Sequence, residues 1–382
     1  MPISNPLAPS VFIRRNLGKA VPLVAVIILA VMLISSVVAL INSIPLSIRT
    51  VYSYGKHHFG LSPRGNPMLA PKLKQDLLQN TPAPLDRVIT ARGASFLVRS
   101  LVGKWPFVCI AMPPDDMRYY VGRMGSTTID GRYPEDGQPE AIIGEPLARN
   151  LGKKVGDILL NPDDKDAFSP KKVKIVGIAK GDKWFALMPY SYHTANHFPP
   201  IDFFVVFAKT DAEQRTLDTW AMKHFSGGNG EAFTYANLEK DTSTMFKTLY
   251  RILDVVIFTL VGVITVMMGM LMNIYQSQRV QEFGLLQALG YTKQTLIRRV
   301  VVESLLVIVG GWILGVIVSY GMLTVTDLVL MKPASFALDR LDPVAYRYTV
   351  PVPLMILLTS IFTIVQRLRT FDPVGVVERR LV

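Results

Sequence analysis

Cysteine is almost absent: Cys109 is the one thiol in 382 residues. No intramolecular disulfide can form, and no cysteine-based metal site is plausible. Charge is also scarce, at 18% of residues, against about 25% in an ordinary soluble domain. A nucleotide-binding phosphate loop, G-x-x-x-x-G-K-S/T, is missing. Gly103-Lys104 is followed by Trp105 and lacks the first glycine, and Gly152-Lys153 fails in the same way. The chain therefore carries no ATP site of that kind. His193 and His197 stand four apart, as zinc ligands on a helix would, but no Glu follows His193 and Pro199-Pro200 interrupts any helix. They read as a polar loop, and His57-His58 as a solvated turn. Asp115-Asp116 and Asp163-Asp164 sit among loop residues and do not read as catalytic carboxylate pairs. Nothing points to a bound metal or cofactor, nor to an enzyme.

What the chain does have is apolar length. Half of its residues are hydrophobic. A bilayer core needs about 20 predominantly apolar helical residues. Ala20 to Ile48, Val255 to Gln278, Ser304 to Thr326 and Tyr348 to Gln366 each meet that need without a charge. The fourth is the shortest, because Pro351 and Pro353 lie near its start. None carries an ionisable residue at mid-depth, which argues against a proton relay or an ion path. The first run is too long for a signal-peptide core and no A-x-A site follows it, so it reads as an uncleaved anchor despite Arg14-Arg15. The net charge of +12 would suggest nucleic acid on a soluble protein. Here several of the basic residues flank the apolar runs, and the expected partner is lipid, not nucleic acid.

Those flanks set a direction. Arg14, Arg15 and Lys19 precede the first run; Arg279, Lys293, Arg298 and Arg299 separate the second from the third; Arg367, Arg369, Arg379 and Arg380 follow the fourth. Between the third and fourth, Lys332, Arg340 and Arg347 are balanced by Asp327, Asp339 and Asp342. The expected plan is an α-helical membrane protein with a mixed α/β extracytoplasmic domain between the first and second of four transmembrane helices. In order it has a cytoplasmic segment 1–19, helix 20–48, the outer domain with its stalk 49–247, and helix 248–278. A cytoplasmic coupling loop 279–303, helix 304–326, an external loop 327–347, helix 348–366 and a cytoplasmic tail 367–382 complete it. The compartment implied is a bacterial cytoplasmic (inner) membrane, spanned several times with both termini inside.

Within the outer domain, Phe107 to Ala111 and Phe203 to Phe207 read as buried strands, and Lys172 to Val176 as a half-exposed one. Pro71 to Leu78 and Ala212 to Phe225 have helical spacing. Asp130-Gly131, Asp136-Gly137 and Gly227-Gly228 mark turns. The sum is a mixed α/β domain in two lobes, the smaller around 127–181. Met245, Leu249, Ile252 and Val256 recur at helical spacing ahead of the second run. The first run would extend roughly 43 Å against a core near 30 Å. Two helices projecting outward as a stalk account for both, and a separate linker with helix tilt is the alternative.

The most specific pattern lies between the second and third runs. Glu282 to Leu289 can form a short helix with Leu285, Leu286 and Leu289 on one side. Gly290 fits the left-handed position that ends helices, and Thr292 can cap the next one. Such a helix suits either a partner's groove or the lipid surface. The run from Arg279 through Glu282, Gly284, Leu285, Leu286, Ala288, Leu289 and Gly290 to Thr292, then Glu303, Gly310-Gly311 and Gly315, resembles the FtsX-like, MacB-type permease family of ABC transporters. Asp372-Pro373-Val374 and Arg379 partly match that family's closing element, with Val377-Glu378 where Leu-Arg is usual. Gly131-Arg132, Ala141 to Gly144 and Val176 to Ile178 resemble the small outer lobe of MacB-like members.

The resemblance implies a permease subunit that works as a homo- or heterodimer with a cytoplasmic ABC ATPase subunit holding ATP and Mg. The ATPase would seat on the residues from Arg279 to Gly290. Movement would pass to the outer domain to export or extract a lipid, lipoprotein or small hydrophobic molecule, and a periplasmic adaptor is a further partner class. Activation of a cell-wall hydrolase by the same mechanical route is the alternative, and a membrane-bound enzyme a third class. Gly311, Gly315 and Ser319, spaced by four, read as a helix-packing stripe.

Overall fold

The computed structural model describes residues 17–226 and 230–369. Arg14, Arg15, the Gly227-Gly228 turn and the closing element from Asp372 to Arg379 lie outside these. Eleven α-helices are described: α1 (Leu17–Val51), α2 (Ala70–Asn80), α3 (Pro114–Arg123), α4 (Glu145–Leu151), α5 (Tyr190–Ala195), α6 (Asp211–His224), α7 (Tyr235–Ser277), α8 (Val280–Ala288), α9 (Lys293–Thr326), α10 (Pro343–Arg347) and α11 (Pro351–Arg369). The strands are β1 (Phe59–Ser62), β2 (Leu85–Arg99), β3 (Lys104–Met112), β4 (Ile129–Gly131), β5 (Glu140–Gly144), β6 (Ile158–Leu160), β7 (Val173–Ala179), β8 (Ala186–Pro189), β9 (Phe203–Ala208) and β10 (Glu231–Phe233).

Two compact units result. One gathers Met1–Asn42, Thr248–Thr326 and Asp339–Val382, the other Ser43–Lys247 and Asp327–Leu338. Among the described residues four helical stretches are long and apolar enough to cross a membrane: Ala20–Val51, Tyr235–Ser277, Lys293–Ala334 and Pro343–Gln366. The prolines near the start of the last do not break it. Pro351 opens α11, where the amide hydrogen it lacks would have had no helical acceptor.

α7 begins ahead of its apolar part because Thr234 caps it, accepting from the Asn237 amide at 3.1 Å. Its packed side is Thr242, Phe246, Leu253 and Ile257, whereas Met245, Ile252 and Val256 of the anticipated stripe are exposed. With apolar residues on several sides, spacing alone did not tell which face packs.

The second unit is built on a ten-stranded mixed sheet in the order β10-β1-β9-β2-β3-β8-β5-β7-β4, with β6 pairing β7. β2 joins its two halves. Leu85 to Ala91 pairs with β9, and Arg92 to Arg99 with β3. The β3–β8 and β5–β7 pairs are parallel and the rest antiparallel. The Gly131, Gly144 and Gly177 positions have a steric reason. A Cβ at each would stand 2.2, 2.3 and 2.3 Å from a carbonyl oxygen of Val176, Lys183 or Arg132. Arg132 in turn forks onto Glu140, with Nη1 2.7 Å from Oε2 and Nη2 on Oε1. Cys109, Phe107 and Trp184 are buried together in one core of this sheet, and burial pushes the Cys109 thiol up, out of any reactive range.

Residues 327–338 also belong to this unit. They dock on α4 and the end of α1. Asn150 Nδ2 donates to the Ala334 carbonyl at 2.9 Å, Arg149 Nε to Ser335 Oγ at 3.1 Å, and the Ala337 amide to Ser47 Oγ at 3.2 Å.

α6 opens with a capping box, in which Thr210 Oγ1 accepts from the Glu213 amide and Glu213 accepts from the Thr210 amide. On its buried side Gln214 donates to Asp218 at 2.9 Å. Burial pushes the Asp218 carboxyl up to about 6, opposed by that hydrogen bond. A carboxyl whose folded value exceeds its unfolded one destabilises when it ionises. The cost is absent below the unfolded value of about 3.9, grows as pH rises, and is complete above the folded value. Asp218→Asn keeps the acceptor and removes the charge. At pH 7.5 it is expected to add on the order of 2 kcal/mol, a rise of about 4–8 °C in Tm, and at pH 4 almost nothing. Thermal melts of the full chain at both pH values check this, and an equal gain at both would count against it.

Candidate functional site

The residues from Tyr275 to Glu303 form a short connection with an anchored helix. α8 ends as its sequence suggests. Gly290 has φ +93°, the Tyr291 amide reaches the Leu286 carbonyl at 3.1 Å and the Gly290 amide the Gln287 carbonyl at 2.9 Å. This is the Schellman pattern. Thr292 then accepts from the Thr295 amide at 3.3 Å, capping α9.

Arg279 is the anchor. It is 2% exposed, and its Nη1 donates to Glu303 Oε2 at 2.7 Å while Nε reaches Glu282 Oε2 at 3.3 Å. Arg299 Nε holds the other Glu303 oxygen at 3.2 Å. The Tyr275 and Phe283 rings, four residues either side, face the Arg279 guanidinium at 5.5 and 5.2 Å. Two cations and two carboxylates balance in this cluster. Burial of a charge is tolerated here because it is paired and hydrogen-bonded. Arg279 therefore positions α8 and does not lie on its surface.

The faces of α8 differ from the sequence expectation by one position. Leu286 packs inward with Phe283, Leu296, Val300 and Ile364, and Gly284 is buried. Leu285 and Leu289 are 65% and 76% exposed, and Glu282 and Ala288 are exposed beside them. The outward surface is Glu282, Leu285, Ala288 and Leu289. Arg299 and the two rings escaped sequence reading, although the four-residue spacing of Tyr275, Arg279 and Phe283 was a usable signal.

Gly311, Gly315 and Ser319 all face α1. A Cβ on Gly311 would stand 3.3 Å from Ile27, and one on Gly315 would stand 2.8 Å from Val31. Ser319 and Ser35 share a hydrogen bond of 2.6 Å. Further polar pins join Trp312 Nε1 to Thr349 at 3.0 Å and Asn42 to Asp342 at 2.5 Å.

The remaining candidates are structural. His58 is buried, not solvated, and its Nε2 meets the Tyr120 hydroxyl at 3.0 Å. His193 is fully buried and stacks on Phe198 at 3.9 Å, and burial lowers it to about 4. Asp116 pairs with Arg87 at 2.7 Å. Among the described residues no group of three or more His, Cys, Asp or Glu could hold a metal ion.

The anchored helix and the glycine stripe fall inside a segment with a recognisable relative. Residues 255–373 match a family of membrane permease domains. That family is described as FtsX-like permease C-terminal, and this part of the chain is similar to it. No curated protein matches the chain in sequence.

Among solved structures, the chain is similar to the periplasmic region of MacB from Actinobacillus actinomycetemcomitans. The identity is 11%, over 51% of this chain and 95% of that one, with a TM-score of 0.29. The extracellular domain of the noncanonic ABC-type transporter YknZ from Gram-positive bacteria aligns at 11% identity, over 47% of this chain and 99% of its own, with a TM-score of 0.26. A domain of a putative permease protein from Porphyromonas gingivalis aligns at 12% identity, over 46% and 86%, with a TM-score of 0.22.

Proposed function

We propose that this chain is the membrane-spanning subunit of an ABC-type transporter whose ATP and Mg are held by a separate cytoplasmic ATPase chain. In this reading it works as a dimer of permease protomers in a bacterial cytoplasmic membrane. Both termini and α8 lie inside, and the sheet domain lies outside. ATP-driven movement of that domain exports or extracts a lipid, lipoprotein or small hydrophobic molecule. The observation that carries the reading is α8 itself, inside the permease-family segment. Leu285 and Leu289 are exposed beside Glu282 on a helix whose base is held by a buried ion pair. A rigid short helix with apolar anchors one turn apart is the form a partner's groove accepts. The basic flanks of the apolar runs support the same side for it.

Leu289→Asp tests the reading, because the side chain makes no core. Recruitment of the proposed ATPase partner is expected to fall about 30-fold or more, the size of an interface hot spot, with an unchanged melting temperature. Leu286→Asp would instead disrupt the loop's own packing. Affinity purification from co-expressing cells reads the result, and wild-type recruitment by Leu289→Asp would refute the docking role of α8.

A further inference from the structure

The sheet domain contains a cavity that neither the permease segment nor α8 explains. Its volume is about 570 Å³, within the roughly 300–1,000 Å³ of sites for drug-sized molecules. One wall is sheet, with Val108, Ile110, Phe203 and Val205 from β3 and β9. The others are Tyr52 and Tyr54 ahead of β1, Phe233 on β10, and Tyr235 and Leu238 in the first turn of α7. Val108 is 41% exposed in a strand whose following residues are buried, because nothing fills the space above it.

The polar groups of this wall point to a class of ligand. Among the described residues Glu231 and Asp241 line the cavity, and no lysine or arginine does. On a chain of net charge +12 an acidic lining is the opposite of what composition favours. Among the described residues the ion-pair contact of Glu231 is a distant one with Arg64, at 3.9 Å. Asp241 makes no ion pair among the described residues. His58 also lines the cavity, is 5% exposed, and its Nδ1 has no hydrogen-bond partner among the described residues. Burial, helped by the neighbouring His57, lowers this imidazole to about 3, so it is neutral and does not repel a cation. Aromatic faces attract cations further; the Lys56 ammonium already occupies the Tyr235 ring at 4.9 Å, which leaves Tyr52, Tyr54 and Phe233 to face a ligand.

We propose that this cavity binds a lipophilic monocation of drug-like size, its apolar body against Val108, Phe203 and Phe233 and its charge toward Asp241 and Glu231. Tetraphenylphosphonium and its shape-matched anion tetraphenylborate are suitable probes. The full chain is placed in zwitterionic nanodiscs without any ATPase, and saturable binding above that of empty discs is measured. The cation is expected to bind at least about tenfold more tightly than the anion. The double variant E231Q/D241N changes two carboxylates at the wall and leaves the apolar body intact. It is expected to lower cation affinity about tenfold and to raise that of the anion, so that the two ions bind more nearly alike. Val108→Trp fills the cavity and is expected to abolish saturable binding. Equal binding of both ions, or unchanged cation affinity in E231Q/D241N, would overturn the proposal. Because the permease is tested alone, this result is independent of ATPase recruitment through Leu289.

Discussion

Glu303→Ala is expected to disable the protein while leaving every surface of α8 chemically unchanged. The substitution removes the carboxylate that holds the buried Arg279 most closely and leaves the half-exposed Glu282 at 3.3 Å among its partners. Removing one member of a buried pair typically costs about 3–5 kcal/mol, because the remaining charge is stranded. Glu282 offsets part of this, so about 2–4 kcal/mol is expected here. Arg299 loses its partner too, but it is less buried and can turn to water. The base of α8 is then released, and the melting temperature should fall; on the proposed function, stimulation of the partner ATPase should fall at least tenfold with it. The double variant R279M/E303L separates stability from charge. With both charges gone, apolar side chains of similar size fill the space, and most of the lost stability should return. Melts in detergent and ATP turnover with the partner chain read the two effects. A Glu303→Ala variant as stable and active as wild type would remove the anchor role of this cluster.

The second large effect is expected at Gly315. An added Cβ would stand 2.8 Å from the Val31 Cβ, 3.1 Å from its Cγ1 and 3.3 Å from the Ile28 Cα. The backbone fixes the position of every Cβ, so neither the added one nor that of Val31 can swing away, and α1 and α9 must separate. Gly315→Ala is expected to cost about 1–3 kcal/mol, as overpacking does, and Gly315→Leu to prevent the two helices from packing at all. Separation would also break the Ser35–Ser319 hydrogen bond. Gly310 is the control, since nothing lies within 4 Å of a Cβ there, and Gly310→Ala should be silent. Val31→Ala removes the Cγ1 contact at 3.1 Å but keeps the Cβ at 2.8 Å, so it should rescue Gly315→Ala only in part. The comparison is a set of four melting curves, and equal curves for Gly315→Ala and Gly310→Ala would show that this contact does not set the packing.

How much of this was legible beforehand follows from what each feature depends on. The four apolar helices depend on length alone, and the chain displays length directly. The end of α8 depends on Gly290 and Thr292, whose local chemistry permits few other roles. The partner of Arg279 depends on tertiary structure. Glu303 is 24 positions away, and no periodicity links a side chain at the end of one helix to one inside the next. The outward face of α8 was displaced because Leu285, Leu286 and Leu289 are adjacent on a nine-residue helix, where two apolar sides are nearly equivalent. His58 read as solvated because a polar doublet near a glycine gives no hint of the aromatic residues Tyr54, Tyr120 and Phe207 that close over it. The sheet order was not legible at all, since β9 and β10 return from far along the chain to flank β1.

The dock of residues 327–338 on α4 carries a consequence for the order of synthesis. Asn150 leaves the ribosome long before Ala334, the carbonyl that its side-chain amide bonds at 2.9 Å. At translation speeds of about 5–20 residues per second, the gap is on the order of ten to forty seconds. Over that interval the amide of Asn150 has only its own domain and water for partners. The last piece of the sheet domain's surface is delivered only after the whole of α9 has been made, so the domain cannot reach its final form before the third membrane helix exists.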